Sequence, residues 1–169
     1  MTDFFDDRFF LSPVSLFLSH AQLHTIYAHA DRTYPDECCG LLLGNLTAGN
    51  KIVTDLWAME NAWDAAAADD LADDPHLNKT RRYWIAPQEM LAAIRAARAR
   101  HLEIVGVYHS HPDHPAIPSE YDRQLAWAQY SYLIVSVPEG IASDARSWVL
   151  DDRHQFQPEP LLLTAPARM

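Results

Sequence analysis

Two different spacings of hydrophobic residues alternate along this chain of 169 residues. In one of them, apolar side chains recur every three or four positions, which is the period of an amphipathic helix. This spacing predicts helices at residues 19–34, 87–101 and 119–130. The first helix has Ser19 in the N-cap position and ends before Pro35, and Pro87 lies in the first turn of the second helix.

The other spacing consists of short, uninterrupted apolar runs, which are typical of strands buried on both faces. Such runs predict buried strands at residues 38–45 and 131–137. Residues 51–60 are predicted to be the hairpin partner of the first strand across the turn TAGN, and further strands are predicted at 81–86 and 103–111, with one or two more within 145–156. Helices interleaved with buried strands indicate a single α/β (α+β) domain built on a mixed sheet. The periodicity does not order the strands within that sheet.

The segments outside this pattern divide the chain further. Residues 61–79 follow neither period and are rich in alanine and aspartate, so we expect a surface insertion or flap within the domain. Residues 1–18 are predicted to form an N-terminal arm with an uncertain strand. The domain is expected to span residues 19–156, and residues 157–169 are predicted to form a mobile or docking C-terminal tail.

Composition and charge narrow the range of functions. The formal net charge of −10 leaves no basic stripe that could neutralise phosphates, which argues against nucleic acid or an anionic membrane surface as partner. No apolar run approaches the roughly 20 residues of a membrane span, and the acidic N-terminus lacks the positive charge of a signal peptide. The only cysteines, Cys38 and Cys39, are neighbours and therefore unsuited to a disulfide scaffold. We expect a cytoplasmic location.

Ligand-type side chains are concentrated in HSHPDHPAIPSEYD, residues 109–122. His109 and His111 are two positions apart at the end of a predicted strand, so both imidazoles can project from the same face. A helix that begins at Ser119 carries Asp122 in its first turn, from where the carboxylate could turn back toward the imidazoles. Two histidines and one aspartate form a catalytic zinc pattern, in which three protein ligands leave a fourth position to water. On spacing alone, an adventitious histidine cluster remains the alternative.

A hydrolytic metal site also needs a base and a group that stabilises developing negative charge. Glu37 is the candidate base, because it is an acid at the entry to the apolar run CCGLLLG. Ser119 could donate its hydroxyl to a tetrahedral intermediate, or it could serve only as the N-cap of its helix. These two roles compete for one orientation of the hydroxyl.

Two stretches of the chain match a family pattern. HSHPDHPAIPSEYD fits H-x-H, seven residues, S, two residues, D, and resembles the signature of the JAMM (MPN+, Mov34/PAD-1) metallopeptidases. YPDECCGLLLG, further upstream, is similar to the segment that carries the catalytic glutamate of that family. The resemblance covers roughly residues 20–150 and implies the family's fold: a mixed, curved β-sheet flanked by helices, of the cytidine-deaminase-like type.

The resemblance also implies roles for individual residues. One zinc ion per chain would be held by His109, His111 and Asp122, with water as the fourth ligand. Glu37 would activate that water and pass its proton to the leaving amine, while Ser119 would stabilise the oxyanion.

Members of this family cut peptide or isopeptide bonds just after the C-terminal glycines of ubiquitin or ubiquitin-like proteins. A short chain of this kind resembles the bacterial-type, stand-alone branch that processes small β-grasp sulfur carriers ending in Gly-Gly. The implied function is that of a zinc-dependent peptidase or isopeptidase with such a carrier as partner, and Asn61 and Trp63 are candidate substrate contacts. The alternatives are a non-catalytic MPN interaction module with a structural metal, or a RadC-like protein, although RadC-type motifs begin with HNHPSG.

Other reactive side chains have ordinary explanations. His114 is predicted to be an exposed loop residue, His20 and His24 to lie on a solvated helix face, and the two cysteines to pack in a buried strand. The remaining predictions concern a solvated run of acids in the insertion (Asp69, Asp70, Asp73 and Asp74), tryptophans in the core (Trp84, Trp127 and Trp148) and aromatic residues that could seal a homodimer (Phe4, Phe5, Phe9 and Phe10).

Overall fold

A computed structural model of the chain describes residues 14–63 and 78–165. The N-terminal phenylalanines and the acidic run of the insertion lie outside the described residues, and so do the predictions that concern them. The elements are β1 (Leu16–Ser19), α1 (His20–Thr33), β2 (Cys39–Thr47), β3 (Asn50–Met59), α2 (Pro87–Ala99), β4 (Glu103–Pro112), α3 (Glu120–Leu125), β5 (Ser131–Val137), β6 (Asp144–Leu150), β7 (Phe156–Glu159) and β8 (Leu161–Thr164), with a 3-10 turn at Pro138–Gly140.

All eight of these strands belong to one sheet in the order β7-β6-β5-β4-β2-β3-β1-β8. The β4–β5, β1–β3 and β1–β8 pairs are parallel and the other pairs are antiparallel. Only Pro160 separates the two edge strands β7 and β8 in the chain, so the two edges of the curved sheet lie beside each other and the sheet is nearly closed. The prediction of a single α+β domain with a mixed, curved sheet is confirmed.

A buried polar network links β3, β5, β6 and β7, including strands that are not neighbours in the sheet. Lys51 Nζ on β3 donates to Ser131 Oγ at 2.9 Å, and Ser131 Oγ donates to Glu159 Oε1 at 3.0 Å. Ser147 Oγ on β6 donates to the other carboxylate oxygen of Glu159 at 2.5 Å. Burial raises the pKa of Glu159 and lowers the pKa of Lys51. Each of these polar groups is compensated by a partner, as burial requires.

The two faces of the sheet are covered by different helices. Helix α1 packs one core through Ile26 and Ala30, and helix α2 packs the other core through Ala93 and Ala97. Both helices present small or branched apolar residues at helical spacing, which lets them lie close to the strands. Because both faces are covered, β5 is buried along nearly its whole length and β2 over its first six residues.

Strand β4 carries one more residue than the part of β2 with which it pairs. The adjacent residues Leu42 and Leu43 pair with Gly106 and Ile104, so Val105 is the extra, bulged residue. As a result Ile104 and Val107, three positions apart, contribute to the same core. From Val107 onward the ordinary alternation of a strand carries both histidines of the HSH motif to the face covered by α2.

The start of α1 confirms the N-terminal signal in the sequence. Ser19 Oγ accepts a hydrogen bond from the Gln22 backbone N–H at 3.1 Å, and Gln22 Oε1 accepts one from the Ser19 N–H at 2.8 Å. This reciprocal capping box satisfies two donors that a helix start otherwise leaves unpaired. The strand predicted at 131–137 is also confirmed, by β5.

Two predicted elements are wrong in type or extent. Residues 81–86 form no strand, because the backbone of Trp84 is bonded only to Ala62 and to the Asn61 side chain instead of to a neighbouring strand. The helix predicted at 119–130 is too long, since α3 ends at Leu125. Trp127 therefore leaves the apolar face and is 64% exposed, so its prediction as a core residue is wrong. Trp84 and Trp148 are only partly buried.

The ends of the described chain belong to the sheet. Residues 157–169 were predicted to form a mobile or docking C-terminal tail; of these, residues 157–164 pair with the sheet, because β7 pairs with β6, and β8 pairs in parallel with β1. The uncertain strand predicted in the N-terminal arm is β1. Within the described ranges, no helix is long and apolar enough to cross a membrane.

Candidate metal centre and active site

Three donor groups converge where β4 ends and α3 begins. His109 Nε2 lies 3.1 Å from His111 Nε2 and 3.2 Å from Asp122 Oδ1, and His111 Nε2 lies 3.5 Å from Asp122 Oδ2. Three donors that share one tetrahedral ion at about 2.1 Å lie roughly 3.4 Å from one another. The separations in this His–His–Asp cluster therefore fit a single bound metal ion.

A hydrogen bond beside the cluster orients the His111 imidazole. His111 Nδ1 lies 2.9 Å from the Pro115 carbonyl oxygen, which can only accept, so Nδ1 carries a proton and Nε2 is the nitrogen that would ligate a metal from the neutral ring. This nitrogen faces His109 Nε2 and the Asp122 carboxylate. All three groups thus direct a potential ligand atom toward one point.

Electrostatics prepare the same groups for metal binding. Burial lowers the pKa of His109 more than the neighbouring Asp122 raises it, which favours the neutral imidazole that a metal requires. Burial by itself would raise the pKa of Asp122, but the two imidazoles hold it well below its usual range. Asp122 Oδ2 also accepts hydrogen bonds from the backbone N–H and from the hydroxyl of Ser119, both at 2.7 Å. These contacts orient the carboxylate toward the imidazoles.

Glu37 lies just before β2, beside this cluster. Its side chain is only 6% exposed, and its backbone N–H donates to the Lys79 carbonyl at 2.7 Å. Burial raises the pKa of Glu37 well above its ordinary value; the negative Asp122 raises it further, while Arg82 and Arg81 oppose the shift. A carboxylate with a raised pKa is a stronger proton acceptor.

Glu37 also borders a cavity of about 230 Å³ at the cluster. The residues around this cavity come from three separate segments of the chain and are Glu37, Arg81, Arg82, His111, His114, Pro115, Ile117 and Ser119. The cavity, which we call the Glu37 cavity, thus brings together the candidate base, one candidate ligand and the candidate oxyanion donor.

Ser119 is the N-cap of α3, which is one of the two roles predicted for it. Its Oγ accepts from the Asp122 backbone N–H at 3.1 Å while donating to the carboxylate of the same residue. The hydroxyl is thus engaged with a candidate metal ligand. Its role as an oxyanion donor stays a prediction, and that role requires the hydroxyl to rotate toward the Glu37 cavity.

Asn61 and Trp63 lie inside the protein next to the cluster. The Asn61 amide nitrogen donates to the backbone carbonyls of Glu37 at 3.0 Å and Arg82 at 2.9 Å, and its oxygen accepts from the N–H groups of Trp63 at 3.0 Å and Trp84 at 3.2 Å. Four backbone bonds make Asn61 a cross-link between the two ends of the insertion and the segment of Glu37. Trp63 is 3% exposed. Direct substrate contact by either residue stays a prediction.

The remaining histidines and the two cysteines singled out in the sequence lie in ordinary exposed or packed positions. His114 is exposed, although it borders the Glu37 cavity, and His20 and His24 are exposed on α1. Cys38 and Cys39 are free and buried, and burial raises the pKa of the Cys38 thiol to about 11. A thiol in that state is a poor nucleophile at neutral pH.

Three residues near the cluster were not foreseen from the sequence. The Tyr83 ring stacks on the His109 imidazole with centroids 4.5 Å apart, and the Arg82 guanidinium lies 4.4 Å above the centre of the Tyr121 ring. Within the described ranges, the buried side-chain atoms that lack a hydrogen-bond partner are Arg82 Nε, His109 Nδ1 and Tyr121 Oη, all in this neighbourhood. The arginine pair after the insertion was the one signal in the sequence that could have pointed there.

A nearly closed mixed sheet with a His–His–Asp cluster at the end of a central strand defines a protein of the MPN class. The family described as prokaryotic homologs of the JAB domain matches residues 19–151, and this chain belongs to that family. The match includes Glu37 and the whole His–His–Asp cluster.

Individual relatives agree with this assignment. A desampylase from Haloferax volcanii is 33% identical over 119 residues, which are 70% of this chain and 73% of that protein. The solution structure of a protein from Desulfitobacterium hafniense is similar with a TM-score of 0.71 and 26% identity, over 89% of this chain and 93% of the other. A JAB1/MPN domain protein from Archaeoglobus fulgidus has a TM-score of 0.50 at 17% identity, covering 90% and 98% of the two chains, and shows the shared fold.

Proposed function

We propose that this protein is a zinc-dependent peptidase or isopeptidase that cuts after the C-terminal Gly-Gly of a small β-grasp ubiquitin-like or sulfur-carrier protein. The observation that carries the proposal is the convergence of His109, His111 and Asp122 beside a cavity that Glu37 borders. The similarity of this chain to a desampylase, an enzyme that removes ubiquitin-like proteins, supports hydrolysis of a peptide or isopeptide bond to a protein of that kind.

The donor set fits a catalytic zinc site better than a structural one. Two neutral imidazoles and one carboxylate are borderline ligands, and three protein ligands leave room for water or substrate. A zinc ion held there would polarise the scissile carbonyl and lower the pKa of an attacking water molecule. No cysteine of the described chain lies within the donor group.

Glu37 would handle the proton in this reaction. Its carboxylate takes a proton from the attacking water and delivers it to the leaving amine as the peptide bond breaks. The raised pKa makes the group a better acceptor in the first step and a workable donor in the second. Asn61 holds the Glu37 backbone in place through its bond to the carbonyl oxygen.

Ser119 would stabilise the charge that develops on the carbonyl oxygen. Ser119 borders the Glu37 cavity, and its hydroxyl would rotate to exchange its bond to Asp122 for one to the oxyanion. The N-cap bond from the Asp122 N–H to Ser119 Oγ is compatible with this change, because the oxygen keeps accepting while the proton turns.

The glycine tail of the substrate needs an extended binding path to the metal. The sheet edges β7 and β8 carry none of the site residues, so strand addition there would not reach the cluster. The segment beside the cluster offers an alternative edge: the backbone groups of Tyr83 and Ile85 form no hydrogen bond with any described residue, whereas those of Trp84 between them are bonded. An extended tail that pairs with Tyr83 and Ile85 would place its carbonyl near His109, on which Tyr83 stacks.

The proposal is tested with a purified carrier whose Gly-Gly is followed by a short extension. We expect about one zinc per chain, removal of the extension as seen by mass spectrometry, and loss of cleavage on chelation that added zinc restores. A carrier ending in Ala-Ala plus the same extension is the matched control. Zinc bound at one per chain without cleavage of any Gly-Gly carrier would contradict the proposal and favour the non-catalytic interaction module.

A further inference from the structure

A cluster of basic side chains borders the candidate active site. Lys79, Arg81 and Arg82 lie within four consecutive residues of a chain whose net charge is −10. Both arginines border the Glu37 cavity. Basic side chains that line a cleft raise the local concentration of anions there, so this cavity is a candidate site for an anion.

Arg82 is held in a fixed orientation. Its guanidinium lies over the Tyr121 ring, which Trp63 also contacts edge-on at 5.6 Å, and Nη1 donates to the Arg81 carbonyl at 2.6 Å. Its Nε is buried and has no acceptor among the described residues. A guanidinium fixed by an aromatic face and one hydrogen bond loses little entropy when it binds a further acceptor.

Neither arginine forms an ion pair with a described carboxylate. Glu37 is nevertheless close enough for both arginines to lower its pKa. As far as the described residues show, the pair therefore has guanidinium donors left for a ligand. Guanidinium groups match the two oxygens of a carboxylate in charge and in geometry.

The position of the Glu37 cavity indicates which part of the substrate would meet the arginines. Glu37 would hand its proton to the leaving amine, so the residue that carries this amine lies on the Glu37 side of the metal. The cavity volume of about 230 Å³ is below the roughly 300–1,000 Å³ of pockets for drug-sized ligands, so the cavity suits one small residue.

We propose that Arg81 and Arg82 form a carboxylate subsite for the residue released from the Gly-Gly end. This inference rests on the proposed function and refines it: the preferred substrate carries a short extension with a carboxylate, either the free C-terminus or an acidic side chain. A lysine in an isopeptide bond within a folded protein presents no α-carboxylate at that point and would be the poorer substrate.

The test compares the cleavage of four carriers by the zinc-loaded protein. The carriers differ only in the residue after Gly-Gly. These are alanine as the free acid, alanine amide, aspartate amide and asparagine amide. For the wild-type protein we expect kcat/KM to be about 10- to 100-fold higher for alanine acid than for alanine amide, as for a hydrogen bond to a charged group. The ratio of aspartate amide to asparagine amide shows whether a side-chain carboxylate can serve instead.

Variants separate a specific contact from a general loss of activity. In Arg81→Gln with Arg82→Gln, the acid-to-amide ratio should fall to within about threefold of one, whatever happens to the absolute rate. Arg82→Lys should keep part of the preference because the charge remains. Arg95→Gln, at an exposed position on α2, is the matched control and should keep the wild-type ratio.

Two results would overturn the inference while leaving the proposed function intact. One is equal cleavage of carboxylate and amide substrates by the wild-type protein in both pairs. The other is an unchanged acid-to-amide ratio of kcat/KM in the double variant. If the double variant does not fold, the single variants Arg81→Gln and Arg82→Lys are measured separately, and an unchanged ratio in both of them would overturn the inference. Cleavage of none of the four carriers would instead refute the proposed function, and the subsite with it.

Discussion

Replacing Glu37 by glutamine tests the proposed chemistry most directly. Glutamine has nearly the same shape, and the backbone bonds of Glu37 to Lys79 and Asn61 do not depend on the side chain. The substitution removes the only group of the Glu37 cavity that we assign to proton transfer, and it leaves the three candidate metal ligands in place. We therefore expect a catalytic defect without loss of metal binding.

The size of the defect follows from the role assigned to the carboxylate. A positioned acid–base group contributes about 10²- to 10⁴-fold to a rate, so kcat should fall by that factor, or roughly 2.7–5.5 kcal/mol of activation free energy. The fold should not weaken in parallel. Glu37 is 6% exposed, and burial is the main cause of its raised pKa, which means that burying the charged carboxylate costs free energy. A neutral amide at this position avoids that cost.

The assay is single-turnover cleavage of the extended Gly-Gly carrier by zinc-loaded protein, with zinc content and unfolding measured on the same samples. Glu159→Gln is the matched control: that glutamate is 5% exposed, burial raises its pKa as well, and it lies in the Lys51 network instead of the Glu37 cavity. If Glu37→Gln retains activity within about threefold of wild type, Glu37 is not the base and the proton must take another route.

Three further predictions concern metal binding, packing and pH. Asp122→Ala should lose more zinc affinity than the roughly 10- to 100-fold that a supporting hydrogen bond is worth, and undiminished affinity in a zinc titration would remove Asp122 from the ligand set. Gly44→Ala should destabilise the fold by about 1–3 kcal/mol or more, because a Cβ there would lie 1.9 Å from the Ile52 carbonyl oxygen; an unchanged denaturation midpoint would refute this. The pKa of Glu159 is raised in the fold, so its contribution to the free energy of unfolding is largest below its ordinary pKa and declines as pH rises through the folded value. The difference in stability between wild type and Glu159→Gln should show this decline above about pH 4.5, and a pH-independent difference would contradict it.

The candidate site was predictable where short-range geometry decides it. The spacing of two positions between the histidines fixes a common face, and the capping signal at Ser119 fixes the first turn that holds Asp122. Glu37 is far from these residues in the chain. Only its place at the entry to a buried strand, together with the family resemblance, pointed to it.

The parts that could not be predicted depend on contacts between distant segments. Residues 81–86 have the composition of a strand, but their backbone partner is the amide of Asn61. The tail has no strong periodicity, yet it pairs with β1 because the curved sheet brings its two edges together. Arg82 and Tyr121 meet through tertiary packing alone. No local pattern encodes any of these contacts.

The bulge at Val105 has a consequence for how this site can change in evolution. It accommodates one extra residue in β4, so that Ile104 before it and Val107 after it contribute to the same core. Deleting Val105 would restore a regular ladder in which Ile104 and Val107 are two positions apart, and both histidines would keep their face and their register with β2. Loss of the bulge would therefore leave the metal ligands in place, and variation in the length of β4 at this point is compatible with an intact site.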